Sequence, residues 1–258
     1  MEGTGIAFYN SVSASSVSNC EFTRTGRAGV QIDLRNSGVG TNVLITACDI
    51  HDYVRWGIDL VCNSPGCTMK DIVIDGNRIR DDYQYAPGTW LGVAAGNPHF
   101  DGIIMRLGNW PPYTNQTLGS VSQPIVVRNN SFYNNSATAV DAGTAMMFLT
   151  AFGGRVLIHD NIFINTLSCG YGSIYIQDGL DPTSGSTLPD YLIFNNTFLD
   201  ARNMVALRTV SGTKYAITNG TVRIKNNLFC KTDSGGSYAV ECGLDGCSTP
   251  RNWTTTFT

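Results

Sequence analysis

The sequence predicts an all-β fold: a single-stranded parallel β-helix of about seven coils, running through residues 1–258 as one solenoid. Three observations predict it. One eight-residue phrase recurs, as VLITACDI (43–50), IVIDGNRI (72–79), IVVRNNSF (125–132), VLIHDNIF (156–163), YLIFNNTF (191–198) and VRIKNNLF (222–229), with a degenerate SSVSNCEF (15–22) before them. A second apolar-alternating stretch follows each copy. No amphipathic helical stretch of useful length comes between them.

Within the phrase, an aliphatic column runs through Ile45, Ile74, Val127, Ile158, Ile193 and Ile224. A column two residues past the turn holds Phe22, Ile50, Ile79, Phe132, Phe163, Phe198 and Phe229, and between them stand Cys20, Cys48, Asn77, Asn130, Asn161, Asn196 and Asn227. Period-two alternation with β-branched and aromatic enrichment argues strand rather than helix. Asn tolerates left-handed backbone and bonds locally through its amide, which gives it a mechanical reason to hold a turn. Stacked amides can also pair from coil to coil. The second strands are GVQIDL (29–34), GIDLVC (57–62), GIIMRL (102–107), AMMFL (145–149), SIYIQD (173–178), MVALRT (204–209) and YAVEC (238–242), and a short third strand is expected around the Phe/Ile column. Coils stacked at the strand spacing of about 4.8 Å make a rod some 30 Å long.

At this point the chain resembles the right-handed, pectate-lyase-like β-helix superfamily. The resemblance rests on the V-x-I-x-x-N-x-F phrase and covers residues 5–245. It implies a groove on the outer face of the second strands, between their bordering loops. Lyases, hydrolases, epimerases, phage tailspikes and inert adhesins share this fold, so the phrase speaks for architecture and not for one activity. HFDGI (99–103) is similar to the N-T-D-G motif of polygalacturonase-type hydrolases, but the paired Asp and Gly-His-Gly segments that should follow are missing. Trimeric tailspikes on this fold make a trimer one expectation for assembly.

Composition narrows the classes of partner. A net charge of −3 leaves no basic footprint for nucleic acid, and no apolar run approaches the length of a membrane span. Residues 1–20 lack the charged start and apolar core of a signal peptide, and the first coil begins almost at once. The expectation is therefore a piece of a longer chain, or a chain whose ends are covered elsewhere. Eight cysteines suggest an oxidising compartment. Cys62–Cys67 and Cys242–Cys247 close small loops, and Cys20 and Cys48 share a column at a distance a disulfide spans, leaving Cys169 and Cys230 unassigned. The alternative is that these cysteines fill buried small-residue slots. With sequons at Asn115, Asn129, Asn134, Asn195, Asn219 and Asn252, the expected location is extracellular, or on a cell or virion surface.

The interior of so narrow a coil is filled by side chains, so chemistry belongs outside. Two long loops, 80–101 and 108–124, flank the strand 102–107 and carry Tyr83, Tyr85, Trp90, Trp110 and Tyr113. Alternation places Gln31, Asp59, Ile104, Met147, Tyr175, Ala206 and Glu241 in one outward column, and Asp33, Val61, Arg106, Leu149, Gln177, Arg208 and Gly243 in the next. The candidate catalytic residues are Asp59, His99, Asp101 and Arg106, with Asp33, Asp82, Tyr83, Trp90, Trp110 and Tyr175 as candidate substrate contacts. A lyase acting on a uronate needs a base and a neutraliser; Asp81 and Asp82 offer hard oxygen ligands for calcium. A hydrolase needs a carboxyl pair, such as Asp59 with Asp101. The expected partner is a polysaccharide, cleaved by a lyase or a hydrolase, or bound by a non-catalytic adhesive module. The alternatives are an ordinary surface ion pair for Arg106–Asp59 and a solvated turn for Asp81–Asp82.

Overall fold

Strand-forming phrases that return to one place every coil leave each backbone edge facing its own next copy, and parallel ladders close the hydrogen bonds. A computed structural model describes residues 3–81, 101–107, 115–134, 145–150, 152–166, 172–177, 187–201, 203–209, 221–230, 238–244 and 254–257. Among the described residues the strands form three sheets, of eight, nine and seven strands, whose order follows the chain. Successive coils contribute a strand to each sheet, the second sheet carrying one extra short strand, Thr117–Leu118, and every pairing is parallel. The chain is a parallel β-helix with no helix interrupting the described residues.

Sheet A holds Ile6–Tyr9, Ala28–Leu34, Trp56–Cys62, Asp101–Leu107, Ala145–Thr150, Gly172–Gln177, Asn203–Thr209 and Tyr238–Leu244. Sheet B carries the first half of the repeated phrase, and sheet C its second half, in short strands such as Ser131–Asn134 and Ile162–Ile164. The interior is dry and aliphatic. Val30, Ile58, Ile103, Met147, Ile174 and Val205 stack inward from sheet A, and Ile45, Ile74, Val127, Ile158 and Ile193 from sheet B. Phe132, Phe163 and Phe198 stack from sheet C, with ring centroids 4.6 and 4.8 Å apart.

The asparagine column forms the expected ladder. Each rung's Oδ1 accepts from the backbone N–H of the preceding coil, from Cys48→Asn77 at 3.0 Å to Asn196→Asn227 at 2.9 Å. Each Nδ2 also donates to the next Oδ1, as Asn130→Asn161 does at 3.0 Å, and to a carbonyl one coil back, as Asn161→Val127 does at 3.0 Å. These buried amides therefore carry satisfied bonds on both sides, which is what makes a polar column tolerable in a core. One detail differs from the sequence reading. The left-handed residue is the one before the ladder position: Asn19, Ala47, Gly76, Asn129, Asp160, Asn195 and Asn226 have φ between 50° and 67°. The ladder asparagine itself is reserved for stacking.

Cys62 and Cys67 form a disulfide. Cys20 and Cys48, expected as a possible bridge, are free thiols, each donating to a backbone carbonyl, Ser18 at 3.3 Å and Thr46 at 3.2 Å. Cys230 is also free, while Cys169 and Cys247 lie outside the described residues.

Candidate functional site

The outer face of sheet A is where the coils stop being alike. Its strands enter through an x-Gly step, and at Gly29, Gly57 and Gly102 an added Cβ would stand 2.9, 2.5 and 2.7 Å from a carbonyl oxygen of the next coil. The residue before each step faces outward, giving a lateral row Ala28, Trp56, Asp101 and Ala145. Two further rows follow. One is Gln31, Asp59, Ile104, Phe148, Tyr175 and Ala206; the other is Asp33, Val61, Arg106, Thr150 and Gln177. This corrects the sequence reading at one coil. Met147 and Leu149 were assigned outward, but both point into the core, and Phe148 and Thr150 take their places. The strand Ala145–Thr150 has no glycine to mark its entrance, since Met146 sits at that position.

The face divides into two halves. Toward the C-terminal coils it is apolar: Ile104, Ala145, Phe148, Tyr175 and Ala206 cluster with Trp56, and the rings of Phe148 and Tyr175 stack at 4.9 Å. Toward the N-terminal coils it is polar and buried. Asp33, Asp59 and Asp101 each have 0% exposure. Asp59 receives Arg106 through both Nε (3.1 Å) and Nη2 (3.0 Å), and Gln31 Nε2 at 2.7 Å. A carboxylate taken out of water needs that many donors. The expected pair Arg106–Asp59 is therefore present, but it is a buried two-point pair rather than a surface one. Asp33 is held from the side by Arg35, with Nε at 3.0 Å and Nη2 at 2.6 Å, and the carboxylate in turn raises the Arg35 guanidinium above its ordinary value.

Asp101 is built differently. Its Oδ1 accepts the Ala145 N–H at 3.1 Å, and its Oδ2 has no hydrogen-bond partner. Burial pushes its carboxyl well above the usual range; the Ala145 N–H and the neighbouring Trp56 indole oppose this, and the Asp59 charge adds to it. Asp101 is thus a fully buried carboxyl raised above its ordinary range, one strand away from an ion-paired Asp59.

Trp56 is the residue that sequence reasoning missed. It is almost buried, and the guanidinium of Arg106 lies 4.7 Å from its ring centroid, with Arg27 at 5.8 Å and Arg55 at 6.0 Å. The signal was legible: Arg27-Ala28-Gly29 and Arg55-Trp56-Gly57 are the same step in successive coils.

Of the residues expected at the site, the structure brings together Asp33, Asp59, Asp101, Arg106 and Tyr175 on one face. His99, Asp82, Tyr83, Trp90 and Trp110 lie outside the described residues. Asp81 ends the strand Arg78–Asp81 of sheet C, opposite Asn134, and not on the sheet that carries Asp59. Among the described residues no group of three or more His, Cys, Asp or Glu is placed to hold a metal ion, and Asp82 of the expected calcium pair lies outside them. No helix among the described residues is long and apolar enough to cross a membrane.

No protein family and no curated protein matches the chain. Among solved structures, it aligns with the crystal structure of an alginate lyase from Paenibacillus sp. str. FPU-7. Identity is 14% and the TM-score 0.36, over 89% of this chain and 80% of that one. The β-helix assignment rests on the strand register itself.

Proposed function

We propose that this is an extracellular or surface-located polysaccharide-active protein that cleaves an acidic polysaccharide along the outer face of sheet A. The carrying observation is the placement of the buried Asp101, whose carboxyl is raised above its ordinary range, one strand from the ion-paired Asp59, on a face that also bears Trp56, Phe148 and Tyr175. A protonated carboxyl can hand its proton to a glycosidic oxygen as that bond breaks, while an ionised one serves water or the sugar's positive charge. This division of labour favours a glycoside hydrolase over a polysaccharide lyase. Flat rings beside the carboxyls suit the C–H faces of sugars. The Cys62–Cys67 disulfide supports an oxidising location.

A second reading is a non-catalytic carbohydrate-binding or adhesive module. Complete burial of both Asp59 and Asp101 favours it, since neither carboxyl is open to solvent.

Incubation of the protein and its Asp101→Asn variant with polygalacturonate, alginate and a neutral glucan separates these. Reducing ends and unsaturated-uronate absorbance are followed together. New reducing ends without that absorbance, reduced at least about 100-fold by Asp101→Asn, are expected of the hydrolase. Both signals rising would mean a lyase. Binding without either would leave the module.

A further inference from the structure

We propose that Arg27, lying over Trp56, forms an anion-binding subsite of the sheet A groove, taking the carboxylate or sulfate ester of an acidic polysaccharide; this rests on the function proposed above.

Arg27 precedes the small Ala28, whose partner on the next strand is Trp56, so the guanidinium reaches over the indole of the adjacent coil. Two arginines of this face have a carboxylate: Arg106 has Asp59 and Arg35 has Asp33. Among the described residues Arg27 makes no ion pair, and its Nε is buried without a hydrogen-bond partner. The residue is only partly buried while its Nε is fully so, and packing on the Trp56 ring fixes the guanidinium. Arg55 occupies the same position one coil on, because Trp56 N–H donates to the Arg27 carbonyl and Asp101 N–H to that of Arg55, both at 2.9 Å. Stacking on an aromatic face holds the planar fork in place while leaving its edge to bind an oxyanion.

The location explains what the subsite would do. Trp56 stands between it and Asp101 on the row that opens the strands, so an anion held there lies one coil from that carboxyl along the row. Nothing in that arrangement recognises a neutral glucan, so the subsite selects for charge.

Calorimetric titration with oligogalacturonate, a sulfated dextran oligomer and a neutral gluco-oligomer tests this on the whole chain. Arg27→Gln keeps much of the stem and its packing; Arg27→Lys keeps the charge without the fork. Loss of one charge-assisted contact is expected to weaken binding of the anionic oligomer about 10- to 100-fold in Arg27→Gln, with the neutral oligomer unaffected. Arg27→Lys should fall between. Raising salt should weaken wild-type binding of the anionic oligomer, a test that needs no variant. Tighter binding of the oligouronate identifies the carboxylate as the anion, and of the sulfated oligomer the sulfate ester. Wild-type affinity and salt dependence in a folded Arg27→Gln protein would overturn the subsite while leaving the proposed function standing. No binding of any oligomer by the wild type would remove both.

Discussion

The asparagine ladder and the outer face of sheet A are built on the same coils and follow opposite rules. Along the ladder five successive coils repeat the same asparagine, and from Cys48 to Asn227 each rung is bonded to the next. On sheet A the residues change from coil to coil, and oxygens or nitrogens of Gln31, Asp33, Asp101, Trp56 and Arg27 are buried with no partner. Repetition satisfies polar groups with their own copies, which suits a scaffold. Variation leaves groups unsatisfied, and natural proteins retain such groups where something else is to be bound or protonated.

Breaking the ladder should cost the most. Asn161→Leu removes an acceptor for the Asn130 backbone and amide N–H groups and a donor to Asn196 Oδ1 and the Val127 carbonyl. With several buried groups orphaned at once, a loss of about 4 kcal/mol in chemical denaturation is expected. Arg106→Ala strips the two-point pair from fully buried Asp59 and leaves it Gln31 alone. It should cost about 3 kcal/mol, and the double change Arg106→Ala with Asp59→Ala should recover part of that in the same measurement.

The third change should act with the opposite sign. The native Asp101 carboxyl keeps its proton above the ordinary carboxylate range, so the folded state binds a proton that the unfolded chain has released. Its contribution is fully present below the ordinary Asp value and is lost as pH rises toward the raised native one. Asp101→Asn keeps an oxygen for the Ala145 N–H and should remove this loss. Its melting temperature, compared with wild type from pH 4 to 8, should gain steadily with pH, while activity falls. Smallest of all, Ala47 holds a left-handed φ of 52° where other coils use Asn, Asp or Gly. Ala47→Gly should raise stability by about 1 kcal/mol, readable as a shift in thermal midpoint.

This contrast also decides what was legible in the sequence. The ladder, the Phe column and the inward aliphatics could be read directly, because a repeated coil writes its register several times over. Asp59 and Arg106 could be placed by alternation from a glycine at the strand entrance, and Asp101 by leading directly into that glycine. Phe148 and Thr150 could not, because Met146 replaces that glycine and hides the frame by one residue. Trp56 and Arg27 escaped for another reason: they lie ahead of the entrance glycine, where period-two counting has not yet begun. That Asp101 would keep its proton depends on burial against residues far apart in the chain, which no local pattern reports.

The ladder's first rung is Asn77, and in the two coils before it the column holds thiols instead of amides. In a rod whose coils touch only their neighbours, that makes resistance to pulling uneven along the axis. Under tension the N-terminal coils should peel first and at lower force, whereas the segment from Asn77 to Asn227 should yield as one block.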